Sequence, residues 1–141
     1  LKNFDKSAYG EIYMSAIHMW NDHKITGIGL NNYNLLCNEN EKYRKYNKNF
    51  GCTTHPHNLY IQALVETGII GMVIFVTIVI MFIYKINKIE EKNIKYSLIS
   101  AYLTIFWPVM STGSFLKNWN MAFICFVISF CLIISKMKKL N

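Results

Sequence analysis

Arginine is almost missing from this chain: Arg44 is the one guanidinium among 15 Lys and Arg residues. Bidentate recognition of a diphosphate within the chain therefore rests on a single side chain in a polar loop. The net charge of +7 has no RNA- or DNA-binding motif beside it, so nucleic-acid binding does not explain it. The single Gly-x-Gly, Gly27-Ile28-Gly29, lacks the context of a dinucleotide fold. With Asn31-Asn32-Tyr33-Asn34 after it, it reads as chain reversal. The first residue is Leu1 rather than Met, and the opening residues do not read as a signal peptide.

What the sequence has instead is apolar length. Three runs fill its second half, at about 67–84, 96–116 and 119–135. About 20 mainly apolar residues cross a bilayer core, and lipid permits helices but not open sheet edges. The expectation is an all-α, polytopic membrane helical bundle with three transmembrane helices (residues 67–141) and an outer-face loop domain (residues 1–66). Pro108 is expected to kink the second span or open a cavity in it. Three spans make a thin bundle, so the chain reads as the carboxy-terminal part of a larger membrane protein.

Charge placement sets the expected orientation. Lys85, Lys88, Lys92 and Lys95 lie between the first two runs, and Lys136, Lys138 and Lys139 follow the third. Only Lys117 lies in the other turn. The lysine-rich side faces the cytoplasm by this bias, which puts residues 1–66 outside. Cys37 and Cys52 then sit in an oxidising compartment, either bridged or as two free thiols. A bridge would contribute about 3 kcal/mol in the chain-entropy model. Cys125 and Cys131 read as packing residues of the third run.

In the outer segment, Glu11 to Asn21 reads as an amphipathic helix. Ile12, Tyr13, Ala16, Ile17 and Trp20 share its apolar face, opposite Glu11, Ser15, His18 and Asp22. Such a helix lies in the membrane interface or packs under the outer domain. Asn38 to Gly51 reads as an exposed loop whose Lys42, Arg44, Lys45 and Lys48 either are solvated or form a rim attracting an anionic substrate.

The segment from His55 to Gly71 carries the chemistry. Pro56 disfavours helix at His55, and Asn58 is a good N-cap for the helix that follows. Asn58, Gln62 and Glu66 then recur at every fourth position as a polar stripe that lipid would reject. Glu66 is the only ionisable residue near a span core, which speaks against a transporter with paired intramembrane charges. Gly68 and Gly71 keep the next turn small for close approach. The histidines have three readings: a general base, a metal site of His55 and His57 with His18 or His23, and structural hydrogen bonding. His-x-His lacks the spacing of a zinc signature, so no metal is expected.

His57, Asn58, nine residues from Leu59 to Thr67, Gly68, two isoleucines and Gly71 resemble the signature of the O-antigen ligase and O-antigen polymerase family. Cys52-Thr53-Thr54-His55-Pro56-His57-Asn58 is similar to its fuller form. Met19 to Gly29 resembles the family's outer-loop helix and Gly-x-Gly, and Trp107-Pro108 through Trp119 resembles the end of the same domain. The resemblance implies a membrane glycosyltransferase that works without cofactor or required metal. It implies a donor glycan on undecaprenyl diphosphate and transfer to a sugar hydroxyl at the periplasmic face of the bacterial inner membrane. The acceptor is lipid A-core for a ligase and another lipid-linked glycan for a polymerase. His57 would be the catalytic base, with His55, Asn58, Gln62, Glu66 and Arg44 binding substrate. The chain departs from the family at Tyr33-Asn34, where relatives place an arginine. That role falls to Arg44 or to a residue upstream of Leu1. A lipid-linked-sugar transporter and a non-catalytic scaffold are the competing classes.

Overall fold

The computed structural model describes residues 4–49, 52–109, 111, 113, 114 and 117–137. Every regular element among them is helical: a short 3-10 turn at Phe4–Lys6, then α1 (Ala8–Asp22), α2 (Tyr33–Glu39), α3 (Glu41–Arg44), α4 (Leu59–Asn87), α5 (Lys92–Phe106) and α6 (Asn118–Met137).

α1 starts three residues earlier than its apolar pattern predicts, because the Ser7 side chain accepts a hydrogen bond from the Gly10 N–H and caps it there. Its buried face is also rotated from the expected one. Ile12, Ala16 and Met19 are buried, but so are Glu11 and Ser15, while Ile17 is exposed. Polar partners from the loops cause the rotation. The Ser15 hydroxyl pairs with the Tyr33 hydroxyl at 2.7 Å. The Glu11 carboxylate accepts from the Asn49 backbone N–H and side-chain amide. Satisfied in this way, the two polar groups cost little to bury. Ile12, Ala16, Met19, Tyr33, Cys37, Tyr43 and Val65 form the core of the outer unit. α1 therefore packs within that unit, and Cys37 and Cys52 are joined by a disulfide that ties α2 to the chain entering the histidine motif.

α4 is the one described helix long and apolar enough to cross a membrane. It is broken at Gly68, whose φ of 65° and ψ of −166° belong to a region only glycine adopts readily. Beyond the break, Ile69, Ile70, Val73, Ile74, Ile78, Ile80 and Met81 are all exposed. A soluble core helix would bury such a surface.

The expected set of three spans does not hold. The second run forms α5, which has 15 residues and stops at Phe106. At ~1.5 Å per residue it is far too short for a ~30 Å core. Pro108 ends this helix rather than kinking it, and Trp107 before it is extended (φ −69°, ψ 120°). In α6 the described apolar stretch, Asn118–Phe130, also falls short. Cys125 is exposed on α6 rather than packed. Of the tail lysines, Lys138 and Lys139 lie outside the described residues. Leu59, Val79, Ile105, Phe106 and Ile124 join α4, α5 and α6 in a second core.

Candidate functional site

Two joints fix the histidine motif. The first is the break in α4. There the Val65 and Glu66 carbonyls turn outward and accept from the Ile28 and Gly29 N–H groups, at 2.9 and 3.0 Å. The Ile69 N–H donates to the Lys24 carbonyl at 2.8 Å, and the Ile70 N–H reaches the Ile25 carbonyl at 3.4 Å. The Gly-x-Gly turn thus supplies backbone partners that a broken helix lacks. The approach leaves no room for side chains: a Cβ on Gly27 would lie 2.5 Å from the Gly68 nitrogen, and one on Gly68 would collide with the Ile25 backbone. Gly68 therefore serves close approach by a loop, not by a second helix. Gly71 lies on the next turn, where a Cβ would meet the Thr67 side chain.

The second joint is the cap. The Asn58 side-chain oxygen accepts from the Tyr60 and Ile61 N–H groups, at 3.0 and 3.1 Å. Its amide nitrogen donates to the Pro108 carbonyl at 2.8 Å. Pro56 before it is fully buried. The Asn34 amide donates to the Cys52 and Thr53 carbonyls, so the Tyr33-Asn34 pair serves structure here. Burial raises the Tyr33 hydroxyl pKa, opposed by its hydrogen bond to Ser15.

Between the joints the polar stripe turns inward. Asn58, Gln62 and Glu66 are all buried. The Gln62 amide donates to Glu66 Oε1 at 3.2 Å and to the Ser114 hydroxyl at 3.1 Å, and the Asn120 amide holds the Ser114 carbonyl at 3.0 Å. The chain after α5 is thereby folded back over the stripe. Thr112, Phe115 and Leu116 of this return segment lie outside the described residues.

His57 stands at the edge of this arrangement, half-buried, with φ of 55°. A left-handed non-glycine residue costs about 1–2 kcal/mol, and such strain concentrates at working sites. Its ring lies 4.2 Å from the His55 ring and 6.3 Å from the Tyr9 ring, perpendicular to the latter. His55 is buried, with Nδ1 2.8 Å from the Thr54 hydroxyl. The structure therefore pairs His55 with His57 just before the Asn58 cap, and Gln62 with Glu66 along the helix that follows. Tyr9 joins the histidines without having been singled out from the sequence, and Ser114, within the stretch that resembles the end of the family's domain, joins Gln62. Tyr9 and Tyr13, one turn apart on α1, were the available signal.

Arg44 lies elsewhere, on α3, paired with Glu41 at 3.1 Å. It lines an open depression of about 730 Å³ with Lys42, Lys45, Asn47 and Lys48. Lys42 is itself held by Asp22 at 2.6 Å. Hydrogen bonds from Lys42 and Tyr43 hold the Asp22 carboxyl below the usual range, while burial beside that carboxylate pushes the Tyr43 hydroxyl up to about 12. His18 stacks on Tyr46 at 4.1 Å. Among the described residues, no three His, Cys, Asp or Glu side chains converge as a metal-ligand set.

Comparison with known proteins bears on the same segment. The family described as O-Antigen ligase matches residues 1–76, a stretch holding both joints and the histidines. A "Putative polysaccharide ligase" of Rickettsia felis is 29% identical over 65 residues, 46% of this chain and 16% of that protein. A protein of the same description from Rickettsia conorii matches equally, at 29% over 65 residues. The match thus spans about a sixth of the curated relatives' length. No solved structure matches the chain. On the family match across more than half its length, the chain belongs to the O-antigen ligase family.

Proposed function

We propose that this chain carries the acceptor-activating part of a membrane glycosyltransferase of the ligase type. Its donor is a glycan on undecaprenyl diphosphate, and its acceptor is a hydroxyl of lipid A-core. Residues 1–66 face the periplasm of the bacterial inner membrane, and α4 enters the bilayer below Gly68.

The observation that carries this reading is His57, held strained and half-buried at the mouth of a buried polar stripe. An imidazole nitrogen there takes the proton of the acceptor hydroxyl. The oxygen attacks the anomeric carbon of the donor sugar, the bond from that carbon to the diphosphate breaks, and the lipid diphosphate leaves as an anion. A general base of this kind contributes about 10²–10⁴-fold. His55 backs the His57 ring, while Asn58 and the Gln62–Glu66 pair fix the floor on which sugar hydroxyls bind. Arg44, Lys45 and Lys48 form a basic rim that draws the anionic donor inward. The relatives described as polysaccharide ligases favour attachment of a finished chain over polymerisation of repeats.

Glycolipid analysis of cells lacking the full-length gene tests the assignment. Long glycans stranded on the lipid carrier, restored to the acceptor by the wild-type gene but not by His57→Ala, are expected. Single repeat units on lipid A-core would mark a polymerase. Normal glycolipids in the deletion would end the glycosyl-transfer reading.

A further inference from the structure

Phe4, Tyr13, Tyr9 and His57 form a continuous row of rings. Successive centroids lie 6.1, 6.2 and 6.3 Å apart. Packing within the outer unit does not require all of this row: Phe4 is 48% and Tyr9 44% exposed. Nor is it a plain greasy strip. The Tyr9 hydroxyl donates to the Ser111 hydroxyl at 3.2 Å. Burial raises the Tyr13 hydroxyl pKa, Tyr9 adds to it, and the polar Asn58 side chain opposes both. Aromatic faces and hydrogen-bonding groups therefore alternate over a short distance, beside the imidazole assigned the proton transfer.

That alternation fits one class of ligand. A pyranose presents an apolar face of C–H groups, edged with positive hydrogens, and a rim of hydroxyls. Aromatic faces are negative and attract such hydrogens, while the hydroxyl rim needs hydrogen-bond partners when water leaves. An acyl chain would gain nothing from Ser111, Asn58 and the tyrosine hydroxyls, and would desolvate them at a cost.

We propose that Tyr9, backed by Tyr13 and Phe4, is the stacking subsite for the acceptor sugar ring whose hydroxyl faces His57. This rests on the glycosyl-transfer reading above and adds the place of the acceptor ring to it. Tyr9 is a binding residue here, so its effect should fall on acceptor affinity rather than on turnover.

The test uses the full-length protein in its own membranes and acceptor glycolipid extracted from cells lacking the gene. Initial rates are measured against acceptor concentration for the wild type, Tyr9→Ala, Tyr9→Leu, Tyr9→Phe and Tyr9→Trp. The Ala and Leu variants should raise the acceptor KM about three- to tenfold, with kcat and the donor KM little changed. Phe and Trp, which keep a ring, should stay within about twofold of wild type. In parallel, saturation-transfer NMR with the delipidated core oligosaccharide should detect binding to His57→Ala and lose it when Tyr9→Leu is added. An unchanged acceptor KM in the Leu variant would overturn the subsite. So would failure of Phe and Trp to preserve it, or a shift confined to the donor KM, which would give the ring to the donor lipid. Full transfer by His57→Ala would instead remove the proton-acceptor role of His57, and no transfer by the wild type would overturn the glycosyl-transfer reading itself.

Discussion

α4 is one helix in two environments, divided at Gly68. Above the break its side chains Asn58, Gln62 and Glu66 are buried and engaged with the return segment after α5 and with one another. Below it, α4 shows Ile69, Ile70, Val73 and Ile74 to the outside, and its neighbours in the second core are apolar. The backbone conformation is the same on both sides. What differs is the solvent each half is built for: a hydrogen-bonded protein interior above, hydrocarbon below. The break lets both demands be met, because the carbonyls and N–H groups it frees are taken up by the Lys24–Gly29 turn. His57 can then be fixed at a set height above the apolar segment without polar groups entering it.

The largest expected effect tests whether the upper half exists for chemistry rather than stability. His57→Gly should relieve the left-handed strain and leave the fold as stable or up to about 1 kcal/mol more stable. Transfer should nevertheless fall by at least about 100-fold. Thermal unfolding of detergent-solubilised protein, set beside the transfer rate, checks both. A variant that stays active, or that unfolds much earlier, would make His57 structural.

The dividing joint itself comes next. Gly68→Ala must place a Cβ against the Ile25 backbone in a conformation alanine avoids, so it should cost roughly 3 kcal/mol or more and lower the yield of folded protein. Gly71→Ala meets only the Thr67 side chain, which can turn aside, and should cost much less. Equal losses from the two substitutions would remove the special status of the break.

The Cys37–Cys52 disulfide should matter only above Gly68. Cys37→Ser with Cys52→Ser should destabilise the outer unit by about 3 kcal/mol. Hydrogen exchange should rise in α2 and the 52–57 segment and stay unchanged below the break. Uniform loosening of α4 would contradict the division.

The smallest effect concerns Asp22 and Lys42. Because Asp22 has a folded pKa below its unfolded one, its stabilisation is fully present above the ordinary carboxylate range. It fades as pH falls through the depressed folded value. The pair is exposed, so high salt should also weaken it. Lys42→Ala should therefore lower stability slightly near neutral pH, and the difference from wild type should vanish in strong acid.

Much of the upper half was legible in local pattern. The Asn58 cap, the inward stripe and the position of one span followed from residue type and spacing, because each depends on neighbours within two turns. The break at Gly68 was not legible, since its partners lie about 40 residues upstream and act through backbone atoms that no side-chain pattern encodes. The face of α1 was misplaced for a related reason: Glu11 and Ser15 find partners in Asn49 and Tyr33, which only the tertiary fold supplies. Composition overstated the spans. Trp107-Pro108 ends α5 while the apolar run continues past it. Tyr9 is not legible as a site residue because an aromatic residue at helical spacing reads as core, yet it is exposed beside His57.

The most direct measurement is the single-turnover rate of glycan transfer by the full-length protein, wild type against His57→Ala. Membrane level and the Cys37–Cys52 bridge are verified in each. A loss of at least about 100-fold, with insertion and the bridge intact, is the result expected for a proton acceptor. Transfer within about threefold of wild type would contradict it, because a general base typically contributes about 100-fold or more.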